Sequence, residues 1–205
     1  AVQVEDEDGY FALIRAIAGG AHRPNEISRD FGLKQTSLGK YLKTLIDLDV
    51  LEREVPVTEG NPNKSKKSLY RIKDNFLQFW FRFVLPNLSY LETGRTSAVE
   101  RRIRDHFIDG HVAYVYEDVC RECLWELADS DELGFVPERV GRWWSGSDEI
   151  DVVGLSADEK RAVWGECKFW KDPVGANVLR ALEEKVARIP WEKDARADTL
   201  VLFSV

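Results

Sequence analysis

A chain of 205 residues, 44% hydrophobic and 32% charged, carries enough apolar material for one or two buried cores and enough charge to solvate them. Its 29 basic residues stand against 36 acidic ones, and the net charge of −7 excludes a protein that coats nucleic acid by bulk charge, though not one with local basic patches. No run of about 18 apolar residues predicts a membrane span, no basic-then-apolar leader marks secretion, and three cysteines are too few for a disulfide framework. A reduced, cytoplasmic setting is the expectation. A sequence that begins at Ala1 and contains no methionine is expected to be a piece of a longer product.

Residues 1–9, with Glu5-Asp6-Glu7-Asp8, read as an acidic lead in solvent. From Tyr10, the residues Phe11, Leu13, Ile14 and Ile17 repeat at helical spacing until Gly19-Gly20 stops them. Asn25 to Leu33 predicts a short helix, and Gln35 or Thr36 opens another that carries Leu38, Tyr41, Leu42, Leu45 and Ile46. Leu51–Val57 and Ser68–Ile72 predict two strands around the turn Gly60-Asn61-Pro62-Asn63-Lys64. Three helices and a hairpin in that order make residues 10–74 a winged helix-turn-helix. Residues 75–110 form a helical bridge, with Phe76, Phe79, Trp80 and Phe83 expected on one packed face and Gly110 ending a charged helix from Ser97 to Ile108.

Residues 111–205 change rhythm. Val112–Leu127 predicts a helix with Val112, Val115, Val119, Cys123 and Leu127 inward, and Phe135–Trp144, Ile150–Leu155 and Arg161–Trp170 predict three strands. Asp172-Pro173 is placed to cap a helix running to about Arg188, and Thr199–Val205 predicts a last strand. The order is αβββαβ, so the whole chain is expected to be α+β.

The winged segment has its own charge. Between Lys34 and Lys73, nine basic residues face five acids, about +4 within a chain of −7. Gln35, Thr36, Ser37 and Lys40 open the second helix of the motif, where base edges and phosphates would be met. Lys64, Lys66 and Lys67 crowd the wing, which suits phosphate contact. DNA is the expected partner; docking onto protein is the other use of such a module.

Asp151 interrupts an apolar strand, Ile150-Asp151-Val152-Val153, while Glu166 and Lys168 flank Cys167 and so share one strand face. Charges on inner strands are costly unless something uses them. Two carboxylates suit Mg²⁺ or Mn²⁺, and a lysine beside the metal can orient water and offset charge on a phosphate. Glu117, on the preceding helix, can add a third carboxylate. The solvated salt bridge is the bland reading of the same residues.

Asp151 … Glu166-x-Lys168 on an αβββαβ order resembles the PD-(D/E)xK, or restriction-endonuclease-like, superfamily. Val140-Gly141-Arg142-Trp143-Trp144, Glu149-Ile150-Asp151 and Gly165 to Trp170 are similar to the DUF234 domain at the C-terminal end of archaeal P-loop ATPases, and Asn61 to Lys67 with Tyr70-Arg71-Ile72 is similar to the wing that precedes it. The resemblance covers the chain from about Tyr10. It departs at Ser147-Asp148-Glu149, where many nucleases carry Pro-Asp. It implies metal ligation by Asp151, Glu166 and Glu117, a catalytic Lys168, and an ATPase domain upstream in the same product. The function expected is Mg-dependent DNA phosphodiester hydrolysis; the alternative is a non-catalytic DNA- or protein-binding regulator of the ATPase.

Three other patterns fail on spacing. Gly32 to Lys40 places six residues between its glycines and Tyr41 after the lysine, so no ATP site is expected in this chain. Cys120-x-x-Cys123 lacks the second pair of ligands that structural zinc needs. His22, His106 and His111 have no companion nucleophile elbow.

Overall fold

The computed structural model describes residues 2–31, 35–158, 160–170 and 173–205, without the side chains of 2–7, 31 and 35–37. It is mixed α+β and divides into two units, one of residues 1–54 and 66–107 and one of residues 55–65 and 108–205.

The first unit opens with α1 (Val2–Ala18), α2 (Pro24–Phe31) and α3 (Gln35–Asp47), followed by the antiparallel pair β1 (Leu51–Glu54) and β2 (Leu69–Ile72). Its core joins Leu13, Ile17, Ile27, Leu38, Leu51 and Ile72, so Leu13 and Ile17 of the apolar spacing read from Tyr10 onward face inward, whereas Phe11 is 47% exposed. The acidic lead differs from expectation: Glu5 to Asp8 lie inside α1. Acids in the opening turns suit the positive end of a helix dipole. The Gly20 backbone, at φ 110°, ends the helix in a conformation that L side chains rarely adopt. His22 then pairs with β2, its carbonyl accepting the Tyr70 N–H at 2.9 Å.

After β2 come α4 (Asn75–Phe79), a π-helical turn over Trp80–Val84, a 3₁₀ turn, α5 (Leu88–Glu92) and α6 (Thr96–Phe107). Asp74 caps α4 by accepting the Leu77 N–H at 2.7 Å. The expected aromatic face is altered by the π turn, whose extra residue rotates the downstream side chains about the helix axis. Phe81 and Phe83 are buried while Phe76 is 66% exposed. Phe79 and Phe83 do pack together, and both rings meet Phe107.

The second unit holds α7 (Ala113–Asp129), β3 (Arg139–Ser145), β4 (Asp148–Leu155), β5 (Arg161–Lys168), α8 (Ala176–Arg188) and β6 (Ala197–Ser204). The αβββαβ order is therefore observed. Gly110 does not end the charged helix, which stops at Phe107; the glycine is buried in a π-helical turn over Ile108–Val112 that leads into α7. Asp172 lies outside the described residues, and the N-cap position of α8 belongs to Gly175.

The sheet runs β3-β4-β5-β6, antiparallel through the first three and parallel between β5 and β6, with α8 making the crossover that a parallel pair requires. One face buries Cys120 and Leu124 of α7 against Val152 and Val163. The other buries Leu182 and Val186 of α8 against Ile150, Val153 and Trp164. The buried line on α7 is thus Cys120, Leu124 and Ala128, one position on from the expected Val119, Cys123 and Leu127; Val119 is exposed.

The first hairpin strand stops at Glu54 rather than Val57. Pro56 has no N–H to offer a ladder, and Val57 pairs instead within the second unit. Its N–H donates to the Arg142 carbonyl at 2.9 Å, and its carbonyl accepts from Arg139 Nη1 at 3.2 Å. Residues 55–65, read from sequence as part of the winged segment, accordingly group with the second unit.

Candidate functional site

Gly141 pairs with Val153 but Trp143 pairs with Ile150, so Asp151 and Val152 together oppose Arg142. This is a β-bulge, a device that re-aims a side chain out of strict alternation. On the other side of β4, the ladder to β5 runs from Leu155↔Ala162 to Val152↔Gly165. Just past its end, Asp151 Oδ2 accepts the Cys167 N–H at 2.8 Å. The carboxylate thus stands in the fork where β4 and β5 part.

Glu166 and Lys168 share a strand face, as their spacing predicted, and their side chains pair at 2.7 Å. Glu166 is only 9% exposed, and its second oxygen is 2.9 Å from Lys185 Nζ of α8. Lys185 also donates to the Glu149 carbonyl at 2.9 Å. One buried carboxylate is therefore held by two ammonium groups. Asp151 is within electrostatic reach of Glu166, Lys168 and Arg142; burial, ahead of the Glu166 charge, raises its pKa, and the Cys167 N–H opposes that rise.

Glu117 approaches from α7. Its Oε2 is buried, makes no hydrogen bond among the described residues, and lies 3.5 Å from Arg142 Nη2. Burial pushes its pKa to about 7, with the Asp151 charge adding to the rise and Arg142 opposing it. Arg142 also pairs with Glu149, and Arg121 ties α7 to β4 by donating to the Asp151 carbonyl at 3.1 Å while pairing with Asp118. Tyr116, one residue before Glu117, has its hydroxyl pushed up to about 12 by burial first and then by Cys120.

The structure thus brings Asp151, Glu166 and Lys168 to one strand fork and sets Glu117 behind Asp151 against Arg142. Among the described residues, no three His, Cys, Asp or Glu side chains are grouped so as to hold a metal ion. Lys185, Arg142 and Arg121 were missed by sequence reasoning. Arg142 carried a signal, because a charge inside a predicted strand needs an acid partner; Lys185 sits in an ordinary last helical turn and carried none. Cys120 is buried, and Cys167 packs against its cluster.

On the hairpin side, much of the positive charge is spent internally. Arg71 meets Glu54 at 3.1 Å and Glu52 at 3.6 Å, Lys73 meets Asp49 at 2.6 Å, and Lys43 meets Asp47 at 2.5 Å. Lys40, Lys64, Lys66 and Lys67 are exposed, Lys40 with its ammonium 5.9 Å from the Tyr41 ring. The side chains of Gln35, Thr36 and Ser37 lie outside the described residues.

Fold and site together define an α+β protein with a cluster of acids and bases where two inner strands of a mixed sheet part. The model of the DUF234 family, described as archaea bacterial proteins of unknown function, matches residues 80–188, and the chain belongs to that family. It is 39% identical over 170 residues to "Uncharacterized protein MJECL04" of Methanocaldococcus jannaschii, an alignment that covers 83% of this chain and 37% of that protein. The chain therefore spans little more than a third of that relative's length. No solved structure matches. Among the described residues, no helix is long and apolar enough to cross a membrane.

Proposed function

We propose that the chain joins a winged helix that binds DNA to a restriction-endonuclease-like domain of PD-(D/E)xK type that hydrolyses DNA phosphodiester bonds with Mg²⁺ or Mn²⁺. One observation carries this reading: the fork of β4 and β5 holds Asp151 beside Glu166 and Lys168. The length of the relative and the resemblance read from sequence support a longer product whose remainder includes a P-loop ATPase.

The donor chemistry suits a hard cation. Mg²⁺ needs only one or two carboxylates and keeps several waters. Asp151 Oδ1 makes no hydrogen bond among the described residues, and Glu166 offers an oxygen once one lysine yields it. When bound, the metal supplies Lewis acidity at the scissile phosphate and to a coordinated water. Lys168 then orients the water and offsets phosphate charge. Lys185, itself held by the Glu149 carbonyl, pairs with the other Glu166 oxygen and takes no part in the chemistry. Glu117, with its buried oxygen beside Arg142, would support the metal through a water.

The regulatory alternative has its own support. Both Glu166 oxygens are already paired with ammonium groups, which is the closed cluster a non-catalytic domain would keep. A nicking assay with Mg²⁺ and Mn²⁺, run beside calorimetric metal titration, separates the two. Metal binding and cleavage that both vanish in Asp151→Ala support the hydrolase; a wild-type chain that binds neither cation supports the regulator.

A further inference from the structure

β5 and β6 are parallel, and their last paired residues are Lys168 and Ser204. Immediately beyond them, Phe169, Trp170 and Val205 emerge together at the carboxyl ends of these strands, where open α/β sheets tend to take ligands. With Ile108 they line a cavity of about 300 Å³. Trp170 is 49% exposed and Ile108 43%, while Phe169 is braced edge-on by Tyr116 with ring centroids 5.4 Å apart. Lys168 Nζ lies 5.3 Å from the centre of the Trp170 ring. An apolar space therefore adjoins an ammonium that pairs with Glu166 and lies over an aromatic ring.

We propose that this cavity takes an unpaired nucleobase, stacked on Trp170, of a single-stranded or frayed nucleic acid whose phosphate meets Lys168. The inference rests on the hydrolase reading for its phosphate and adds the substrate class. Charge complementarity selects the occupant: a nucleotide presents an anion and an apolar π face a few ångströms apart, matching the lysine and the indole. Lys168 covers one face of the ring, and the other receives the base. Paired bases inside a duplex bury their faces against neighbours and cannot enter without being flipped out. Stacking of this kind tolerates any base, because each has a π face.

The test is fluorescence anisotropy in EDTA, using the full 205-residue chain and three labelled probes of equal length: oligothymidylate, a duplex, and an abasic oligomer. Wild type is expected to bind oligothymidylate more tightly than the abasic strand. Trp170→Ala should weaken oligothymidylate binding roughly five- to hundred-fold, the range of one lost base stack, and leave the abasic strand unchanged, while Trp170→Phe keeps most of the affinity. Equal binding of abasic and thymidylate strands by wild type overturns the proposal without recourse to any variant, as does an unchanged Trp170→Ala. Cleavage is scored separately with Mn²⁺. Base-dependent binding without cleavage retains the cavity and sinks the hydrolase, whereas duplex cleavage that is indifferent to Trp170→Ala sinks the cavity alone.

Discussion

Asp151 accepts the backbone N–H of Cys167, so a side chain of β4 takes up a donor of β5 where the ladder between the strands ends. The same carboxylate is thereby fixed, and the N–H favours its charged form against the burial that disfavours it. This coupling of strand geometry to charge makes the variants at position 151 informative.

Asp151→Asn retains an oxygen that can accept from Cys167, but loses the charge. It is expected to fold with a melting temperature near wild type and to lose Mn²⁺ binding in calorimetry. Asp151→Ala should lose the metal too and be less stable by about 1–3 kcal/mol, the cost of a buried donor left without a partner. Equal denaturation midpoints for the two variants would argue against the role given to the Cys167 bond.

Lys168 and Lys185 both hold Glu166, yet only Lys168 is assigned to water and phosphate. Lys168→Ala is expected to keep or improve metal affinity and to lose cleavage. Lys185→Ala frees Glu166 Oε2, so Mn²⁺ should bind several-fold more tightly to it than to wild type. Weaker binding by Lys185→Ala in the same titration would mean that the helix lysine positions Glu166 rather than competing for it.

Glu117 gives a signed pH dependence. Its pKa in the fold is raised by burial to about 7, so the native state keeps a proton that the unfolded chain releases near the ordinary carboxylate value. Stability from this group is present at low pH and is lost as pH rises to about 7, in total on the order of 3 kcal/mol. Glu117→Gln should abolish that slope and be more stable than wild type at pH 8. Urea unfolding at pH 5 and pH 8 for both proteins checks it, and parallel slopes would count against a buried, protonated Glu117.

The exposed lysines of residues 64–67 predict salt-dependent binding. Replacing Lys64, Lys66 and Lys67 with alanine should weaken duplex binding without regard to sequence, because phosphates carry no code. The slope of log affinity against log salt should fall by about 0.9 for each phosphate no longer neutralised. An unchanged slope would turn the reading toward docking onto protein.

Local pattern alone determined the αβββαβ order of the second unit, the inward residues Leu13, Ile17 and Leu38, and the shared face of Glu166 and Lys168, because helix and strand periods are properties of a few neighbouring residues. It also showed the acid in the Ile150–Val153 strand and the spacing that ruled out a phosphate loop. Tertiary structure decided the rest. The π turn at Trp80–Val84 buried Phe81 as well as Phe83 and so broke the expected aromatic face, since a one-residue phase shift leaves no mark in a pattern of aromatics. Val57 left the hairpin for Arg142, because a strand's partner is chosen by the edge that offers hydrogen bonds. Lys185 reached Glu166 across 19 residues, and the bulge at Asp151 set that carboxylate in the fork, because both depend on strand register and helix packing, which form only when distant segments of the chain meet.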